Sequence, residues 1–561
     1  MIDTVHNRRG AVFRLLAARG FSSRPARGAQ RAFEGSLRCT KGDVRVKLTI
    51  MDWNFLSYPS IHLEDRPAFL PELMPHIDVC DDLCYFSPGA VTLDRYDPAM
   101  AISQCLDQAT SVLNRIAAEP NYRNDDIQDE FPAHWIFGQR TLPFEVLLGQ
   151  IEDGVESATY FFMNVAGKRR AVIASDMEEA SRLETTFGSV KLIKSVGKCW
   201  LFKTAVRPFV PTKMPQTVKE LFEWLKQWDR KIAAEVQLVL ARPDYLKTKF
   251  VSFAVHSPVG WLGFGFDLDQ MKRIGYRRNP QMYRQFLHRS GGDQPLLRLS
   301  IQEVGSRFVH SRNLSFCDLY NKRVTIIGCG AIGSFIAQSI VRLGAGTGSI
   351  GVLKLIDPDL LGPENLGRHL LGYPALLHPK AEALMEELKR QFPHSKIEAL
   401  TKSAFDDPSL FGAELIIDAT GEEAVSEYLN ELSLSRKARV PVLHVWIKGN
   451  GEAVQALWTE NNSHACYRCL LVPDASQHRK ERLPLLKKEP ERRTMGCRAF
   501  TPYAVSAPMH AAALATDMVC AWLQGNPSPT FRTRSLETAD VFALKNQNLS
   551  KIKGCPACDP H

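Results

Sequence analysis

The stretch VTIIGCGAIGS, Val324 to Ser334, reads as an apolar strand, a glycine turn and the start of a helix. Gly328 permits the tight turn, Gly330 lets main chain approach a phosphate, and Gly333 allows close packing of helix on strand. The N-terminus of that helix favours an anion. The pattern by itself serves NAD, FAD and ATP alike. Residues further along the chain narrow the choice. The next strand ends KLIDPD, placing Asp357 where a carboxylate can hydrogen-bond a ribose hydroxyl. ENLGRHLLG then sets Asn365 and Arg368 on one helical turn, and HPKAEAL supplies Lys380. An Asn, an Arg and a Lys aimed at one glycine loop suit a triphosphate better than a pyrophosphate diester, because the cations neutralise charge as pyrophosphate leaves. The strand ELIIDAT presents Asp418 at its carboxyl end, where open-sheet sites form and a carboxylate can hold Mg2+.

Working outward, strand, glycine loop, helix and strand succeed one another from about residue 313 to 561, which predicts a doubly wound α/β domain. At 561 residues the chain exceeds one ordinary core. Two further domains are expected: residues 1–135, an α+β block, and 136–312, where strand-like runs (TYFFMNVAG, RAVIAS, KCWLFK, KFVSFAV, GWLGFGF) alternate with helices such as VKELFEWLKQWDRKIAAEV. The whole is a multidomain α/β and α+β protein. Hydrophobic residues at 45% and charged residues at 23% are ordinary globular values, and no run is apolar enough to span a bilayer, so a soluble, cytoplasmic chain without membrane contact is expected. The excess of 70 Lys and Arg over 61 Asp and Glu is mild for this size. It fits a nucleotide or an acidic partner, and no direct nucleic-acid role is expected. The Arg-rich first 31 residues have the look of a transit peptide, but Val12, Leu15 and Leu16 share one face of a helix expected over Ala11–Phe21.

The cysteines divide by spacing. Cys466–Cys469 and Cys555–Cys558 form two C-x-x-C knuckles, suited to tetrahedral Zn2+; a redox dithiol is the alternative for either pair alone. Between them Cys497 lies among Arg492, Arg493 and Arg498, which favour a thiolate able to displace AMP from an acyl-adenylate; an ordinary buried cysteine is the alternative. Near the N-terminus Met74, Pro75, His76 and Ile77 precede Leu83 and Cys84, with Cys80 close by.

The series G-x-G-x-x-G-S, D-x-D-x5-N-x-x-R, Lys, strand-terminal Asp resembles the ThiF family of adenylyltransferases, which includes the ubiquitin-activating enzymes. The resemblance implies ATP as cofactor, with Asp357 on ribose, Asn365, Arg368 and Lys380 on the phosphates, Asp418 on magnesium, and structural zinc at the four cysteines. It implies Cys497 as transfer thiol, a homodimer, and Arg307 or Arg312 reaching the partner subunit's site, although solvated surface charge explains those two arginines as well. The segment from Met74 to Cys84 resembles the active site of ubiquitin-conjugating enzymes, with Cys84 as acceptor thiol. The departure is His76, which stands where that family has the Asn thought to steady the oxyanion and which is expected to act catalytically by donating the same hydrogen bond. A conjugating-like domain ahead of an activating-like domain resembles the fusion proteins of bacterial antiphage (CBASS) operons. That implies activation of a partner protein's C-terminus, a cGAS/DncV-like nucleotidyltransferase or a ubiquitin-like protein, and its transfer to an acceptor amine in the bacterial cytoplasm. The middle segment would be a linker, read as a degenerate adenylation fold. A sulfur-carrier adenylyltransferase or a Rossmann oxidoreductase would need no Cys84.

Overall fold

In the computed structural model, all residues are described except 1, 27, 29, 79, 140–143, 166, 188–192, 436–439, 461–462, 477, 496–497 and 560–561. Two compact units, Met1–Glu303 and Val304–His561, divide the chain.

The first unit opens with an antiparallel meander of β1 (Ser22–Arg24), β2 (Arg31–Cys39), β3 (Gly42–Ile50) and β4 (Ser60–Leu63). Val44, Val46, Leu48 and Ile50 alternate along β3 and are all fully buried, because one face of this sheet lies in a core. Helices α1 (Ile2–Ala18) and α2 (Pro98–Ala118) cover that face, burying Val12, Leu16, Ile102, Leu106 and Leu113 in the same cluster. Helix α1 begins upstream of the expected Ala11, since no proline interrupts the run and a single glycine does not stop a helix. Asp97 caps α2 by accepting the Met100 N–H at 3.1 Å, with Pro98 in the first turn. Helix α3 (Pro120–Asp129) comes directly after it.

The middle of the chain departs from expectation. Strands β5 (Phe144–Leu148), β6 (Ser157–Val165), β7 (Lys168–Ala174), β8 (Ile193–Lys203), β9 (Phe250–Ser257), β10 (Gly260–Asp267) and β11 (Leu297–Glu303) close into a barrel in the order β10-β11-β5-β7-β6-β8-β9. This is neither a doubly wound sheet nor the open parallel sheet of an adenylation fold, because only β11–β5, β5–β7 and β8–β9 run parallel. Glycines permit the closure: a Cβ on Gly265 would lie 2.3 Å from the Phe250 ring and 2.8 Å from the Val251 carbonyl oxygen. The expected helix from Val218 to Val236 is two helices, α4 (Val218–Trp228) and α5 (Arg230–Val239). Asp229 breaks it in an extended conformation, capping α5 through Lys231 N at 2.8 Å and accepting the Thr204 hydroxyl at 2.6 Å.

The second unit is the predicted doubly wound sheet. Its strands are β12 (Arg323–Ile327), β13 (Val352–Ile356), β14 (Ile397–Leu400), β15 (Leu415–Asp418), β16 (Val442–Lys448), β17 (Ala453–Thr459) and β18 (Phe531–Ser535), in the order β14-β13-β12-β15-β16-β17-β18. The first five are parallel, and β17 and β18 add antiparallel edges. Helices α6 (Ala331–Arg342), α7 (Lys380–Gln391), α8 (Glu423–Ser435) and α9 (Ser506–Leu523) accompany them. The small residues of α9 (Ala511, Ala512, Ala515) let it pack against Ile336 and Ile340 of α6. Register places Ile327 opposite both Ile356 and Asp418, so the segments after β12, β13 and β15 emerge together at one sheet edge. That edge, where strand order reverses beside β12, is where such sheets bind ligands. No described helix is long and apolar enough to cross a membrane.

Candidate nucleotide site and thiol centres

The turn after β12 is built for close approach. Gly328 sits at φ +87°, and a Cβ on Gly333 would fall 1.8 Å from the Gly328 carbonyl oxygen, so the first turn of α6 can lie against the loop only as glycine. Above Gly330, which begins α6, a Cβ would meet nothing within 4 Å, so main chain faces open space there.

Side chains brace this loop from below. Asp357 accepts the Cys329 N–H at 2.7 Å and the Asp359 N–H at 2.8 Å; burial pushes its carboxyl above the usual range. His369, which sequence reading missed, is buried with both ring nitrogens engaged: Nε2 lies 2.7 Å from the Cys329 carbonyl oxygen and Nδ1 accepts the Leu371 N–H at 3.0 Å. These partners fix a neutral imidazole, and burial lowers its pKa. Lys380, buried at the start of α7, reaches Asp359 at 2.9 Å and lies within electrostatic range of Asp357 and His369. Asn365 holds the 3-10 turn Pro363–Arg368 by accepting the Gly362 N–H at 3.0 Å. Arg368, ending that turn, stacks its guanidinium over the Tyr503 ring at 4.9 Å. This joins the nucleotide edge to the segment beyond residue 497.

Asp418 is the surprise at this edge. It is 1% exposed, and both oxygens are taken. One accepts the Thr420 N–H at 3.2 Å and hydroxyl at 2.8 Å; the other accepts the Ser426 hydroxyl and His444 Nδ1, the latter at 2.8 Å. A carboxylate has about four acceptor positions, so all are filled and the group does not fit a magnesium seat in this arrangement. Against the cost of burial, the His444 and hydroxyl contacts hold its carboxyl below the usual range. His444 is fully buried, and its Nε2 has no hydrogen-bond partner among the described residues.

The four knuckle cysteines converge. Their Sγ atoms lie within 4.8 Å of one another, all buried, with contacts of 3.9 Å (Cys466–Cys469), 3.9 Å (Cys466–Cys555) and 3.5 Å (Cys469–Cys558). Four thiolates about 2.3 Å from one zinc stand about 3.8 Å apart, so the donor set fits the metal. Cys497 lies outside the described residues. Its flanks, Arg493–Met495 and Arg498–Phe500, pair as an antiparallel ribbon. Asn450 ties the base of that ribbon to the sheet through the Glu491 and Pro502 carbonyls, each at 3.0 Å. Arg307 and Arg312 stand over rings of their own chain, Tyr320 at 5.4 Å and Phe308 at 5.8 Å.

In the first unit Cys84 is exposed and Met74 buried. Leu83 N donates to Ile61 O at 2.8 Å, which docks the thiol segment on β4, and Cys84 N donates to His76 O at 2.8 Å. Burial, then Asp78, Glu130 and Asp82, raise the Cys84 thiol pKa. His76 Nε2 meets Tyr122 Oη at 2.9 Å and Asp126 Oδ2 at 3.0 Å. Neither α3 residue was singled out from sequence. Cys80 is also exposed, its N–H bound to Asp78 at 2.8 Å.

Residues 308–557 match the ThiF family and residues 16–141 match the prokaryotic E2 family B. The chain is a fusion of a prokaryotic E2-like domain and a ThiF E1-like domain. The ATP-dependent ubiquitin transferase-like protein Cap2 of Pseudomonas aeruginosa is 29% identical to it over 91% of each chain. The Escherichia coli protein of that name is 23% identical over 93% of this chain and 92% of its own. Ubiquitin-like modifier-activating enzyme 6 of mouse is 30% identical over 26% of this chain and 15% of its own. The chain is thus a ubiquitin transferase-like enzyme, with Cys84 inside the E2 match and the glycine loop inside the ThiF match.

Proposed function

We propose that this enzyme uses ATP to activate the C-terminal carboxylate of a partner protein, captures the acyl group on Cys497, passes it to Cys84 and delivers it to an amine. The observation that supports this best is the presence, in one chain, of an open glycine loop braced by Asp357 and Lys380 and of an exposed Cys84 registered opposite His76. The partner's carboxylate attacks the α-phosphate over Gly330, and Arg368 and Lys380 stabilise the departing pyrophosphate. Asp357 takes the ribose, and Asn365 shapes the phosphate-facing turn. Magnesium would arrive with the nucleotide; a seat on Asp418 would require Thr420, Ser426 or His444 to release an oxygen. Cys497 displaces AMP, and exchange onto Cys84 completes the relay. The raised pKa of Cys84 makes it a poor leaving group, which keeps the second thioester intact until an amine arrives. Zinc at Cys466, Cys469, Cys555 and Cys558 is structural, and the enzyme works as a homodimer. The partner is a cGAS/DncV-like nucleotidyltransferase of a bacterial defence system; a bacterial ubiquitin-like protein is the alternative.

The test is co-expression with proteins encoded beside it, then intact mass spectrometry and non-reducing gels on wild type, Cys84→Ala and Cys497→Ala. An ATP-dependent, thiol-sensitive adduct should persist in Cys84→Ala and vanish in Cys497→Ala. An adduct whose onward transfer ignores the loss of Cys84 would overturn the relay in favour of a sulfur-carrier adenylyltransferase.

A further inference from the structure

Cys84 and His76 belong to a short two-stranded ladder. Cys84 N donates to His76 O at 2.8 Å, Asp78 N to Asp82 O at 3.1 Å, and Ile77 bridges Leu83 between them. His76 and Cys84 are therefore direct cross-strand partners. His76 holds φ +58°, a conformation that non-glycine residues adopt only when their surroundings impose it. Helix α3 imposes it here. Tyr122 and Asp126, one helical turn apart, both meet Nε2, and the Arg115 guanidinium packs on the Tyr122 ring at 3.6 Å. With a carboxylate at Nε2, the ring carries its proton on that nitrogen, and Nδ1 keeps its lone pair and makes no hydrogen bond among the described residues.

The surroundings are acidic. Asp78 and Asp82 of the ladder and Glu130 beyond α3 act on Cys84; Asp126 and Glu119 act on Tyr122, and Arg115 is the cation that faces them. His134, buried, faces His76. Such a setting draws an amine in as ammonium and holds it so. An ammonium has no lone pair to attack with, so the site needs a base. The expected oxyanion role for His76 would need a ring N–H, and the one N–H of the neutral ring is engaged by Asp126.

We propose that His76, oriented by Asp126, is the general base that deprotonates a primary ammonium as it attacks the acyl group on Cys84. The inference rests on the proposed acyl-carrier role of Cys84 and adds the group that activates its acceptor amine. In the step, one ammonium proton passes to Nδ1 and nitrogen bonds to the thioester carbonyl carbon. The C–S bond breaks, the Cys84 thiolate takes that proton back from the imidazolium, and the second nitrogen proton leaves to water, giving an amide, a thiol and one proton released. Asp126 is a positioning residue: it fixes the tautomer and steadies the imidazolium.

The test bypasses ATP, so it fails or succeeds separately from the activation steps. Full-length Cys497→Ala enzyme is acylated with the benzyl thioester of N-acetylglycine, and discharge of the Cys84 adduct is tracked by peptide mass spectrometry with free lysine or with hydroxylamine. Hydroxylamine is already unprotonated at neutral pH and needs no base. His76→Gln should slow discharge to lysine about 100-fold and Asp126→Asn about 10-fold, with discharge to hydroxylamine within about twofold of the parent. Equal slowing with both nucleophiles would assign His76 to oxyanion stabilisation or to structure and overturn the proposal. No slowing with either would overturn it as well.

Discussion

Two alanine substitutions in the glycine loop separate its roles in the fold and in nucleotide binding. In Gly333→Ala the new Cβ would sit 1.8 Å from the Gly328 carbonyl oxygen and 2.9 Å from its carbonyl carbon. Ordinary contact needs about 3.5 Å, so loop and helix must part by more than 1 Å. The loop is not free to part: Cys329 is held by Asp357 through its N–H and by His369 through its carbonyl. Overpacking of this kind costs about 1–3 kcal/mol, and weakening those two hydrogen bonds adds about 1 kcal/mol each. The expected loss is about 3–5 kcal/mol in the second unit, read as reduced hydrogen-exchange protection of β12 and β15 amides. A loop displaced by 1 Å should also cost about 100-fold in adenylation. Gly330→Ala is the counterpart. Its Cβ meets nothing within 4 Å and φ is an ordinary −76°, so the free protein should lose no more than about 1 kcal/mol, a helix-cap effect. Yet ATP affinity, measured by calorimetry, should fall steeply, because the methyl occupies the space reserved for phosphate. Wild-type ATP affinity in Gly330→Ala would refute the reasoning, since the open face above Gly330 would then not be the phosphate site.

Elemental analysis of purified protein should find one zinc per chain, and Cys555→Ser should abolish it while loosening the buried cluster of Leu457, Phe531 and Leu549 around the thiolates; full zinc retention would argue against a four-thiolate site. His444→Ala removes a charge-assisted hydrogen bond from buried Asp418 and should destabilise the second unit by about 1.5–3 kcal/mol at neutral pH. The sign of the pH effect comes from the depressed carboxyl: Asp418 contributes stability above its unfolded pKa and loses it as pH falls through the folded value, so the wild-type acid limb should lie below about pH 4 and flatten in His444→Ala. Asp357, raised by burial, works the other way, and stability should decline as pH rises from its unfolded pKa through its folded one.

Sequence reading succeeded where constraints are local. The glycine loop and the cysteine knuckles are fixed by steric or ligand spacing within a few residues, and in the structure the loop closes on Gly333 and the four cysteines converge. The alternation along β3 likewise needs only its own residues. The barrel was not legible for the opposite reason. Short apolar runs such as GWLGFGFD fit a buried strand in either architecture, and closure depends on pairings such as β11 with β5, some 150 positions apart. The same distance hid the supporting side chains. His444 and His369 are single polar residues inside apolar stretches, and Tyr122 and Asp126 lie on a polar helix of no visible pattern. Each gains meaning only from the partner that register or packing places beside it. Asp418 shows the consequence for chemistry. A strand-terminal carboxylate in such a sheet is legible as a metal ligand from its position alone, yet whether its oxygens are available is decided by Thr420, Ser426 and His444. No motif encodes those three together. A position inherited from a fold therefore names the residue that can act, and the donors packed around it decide what it is free to do.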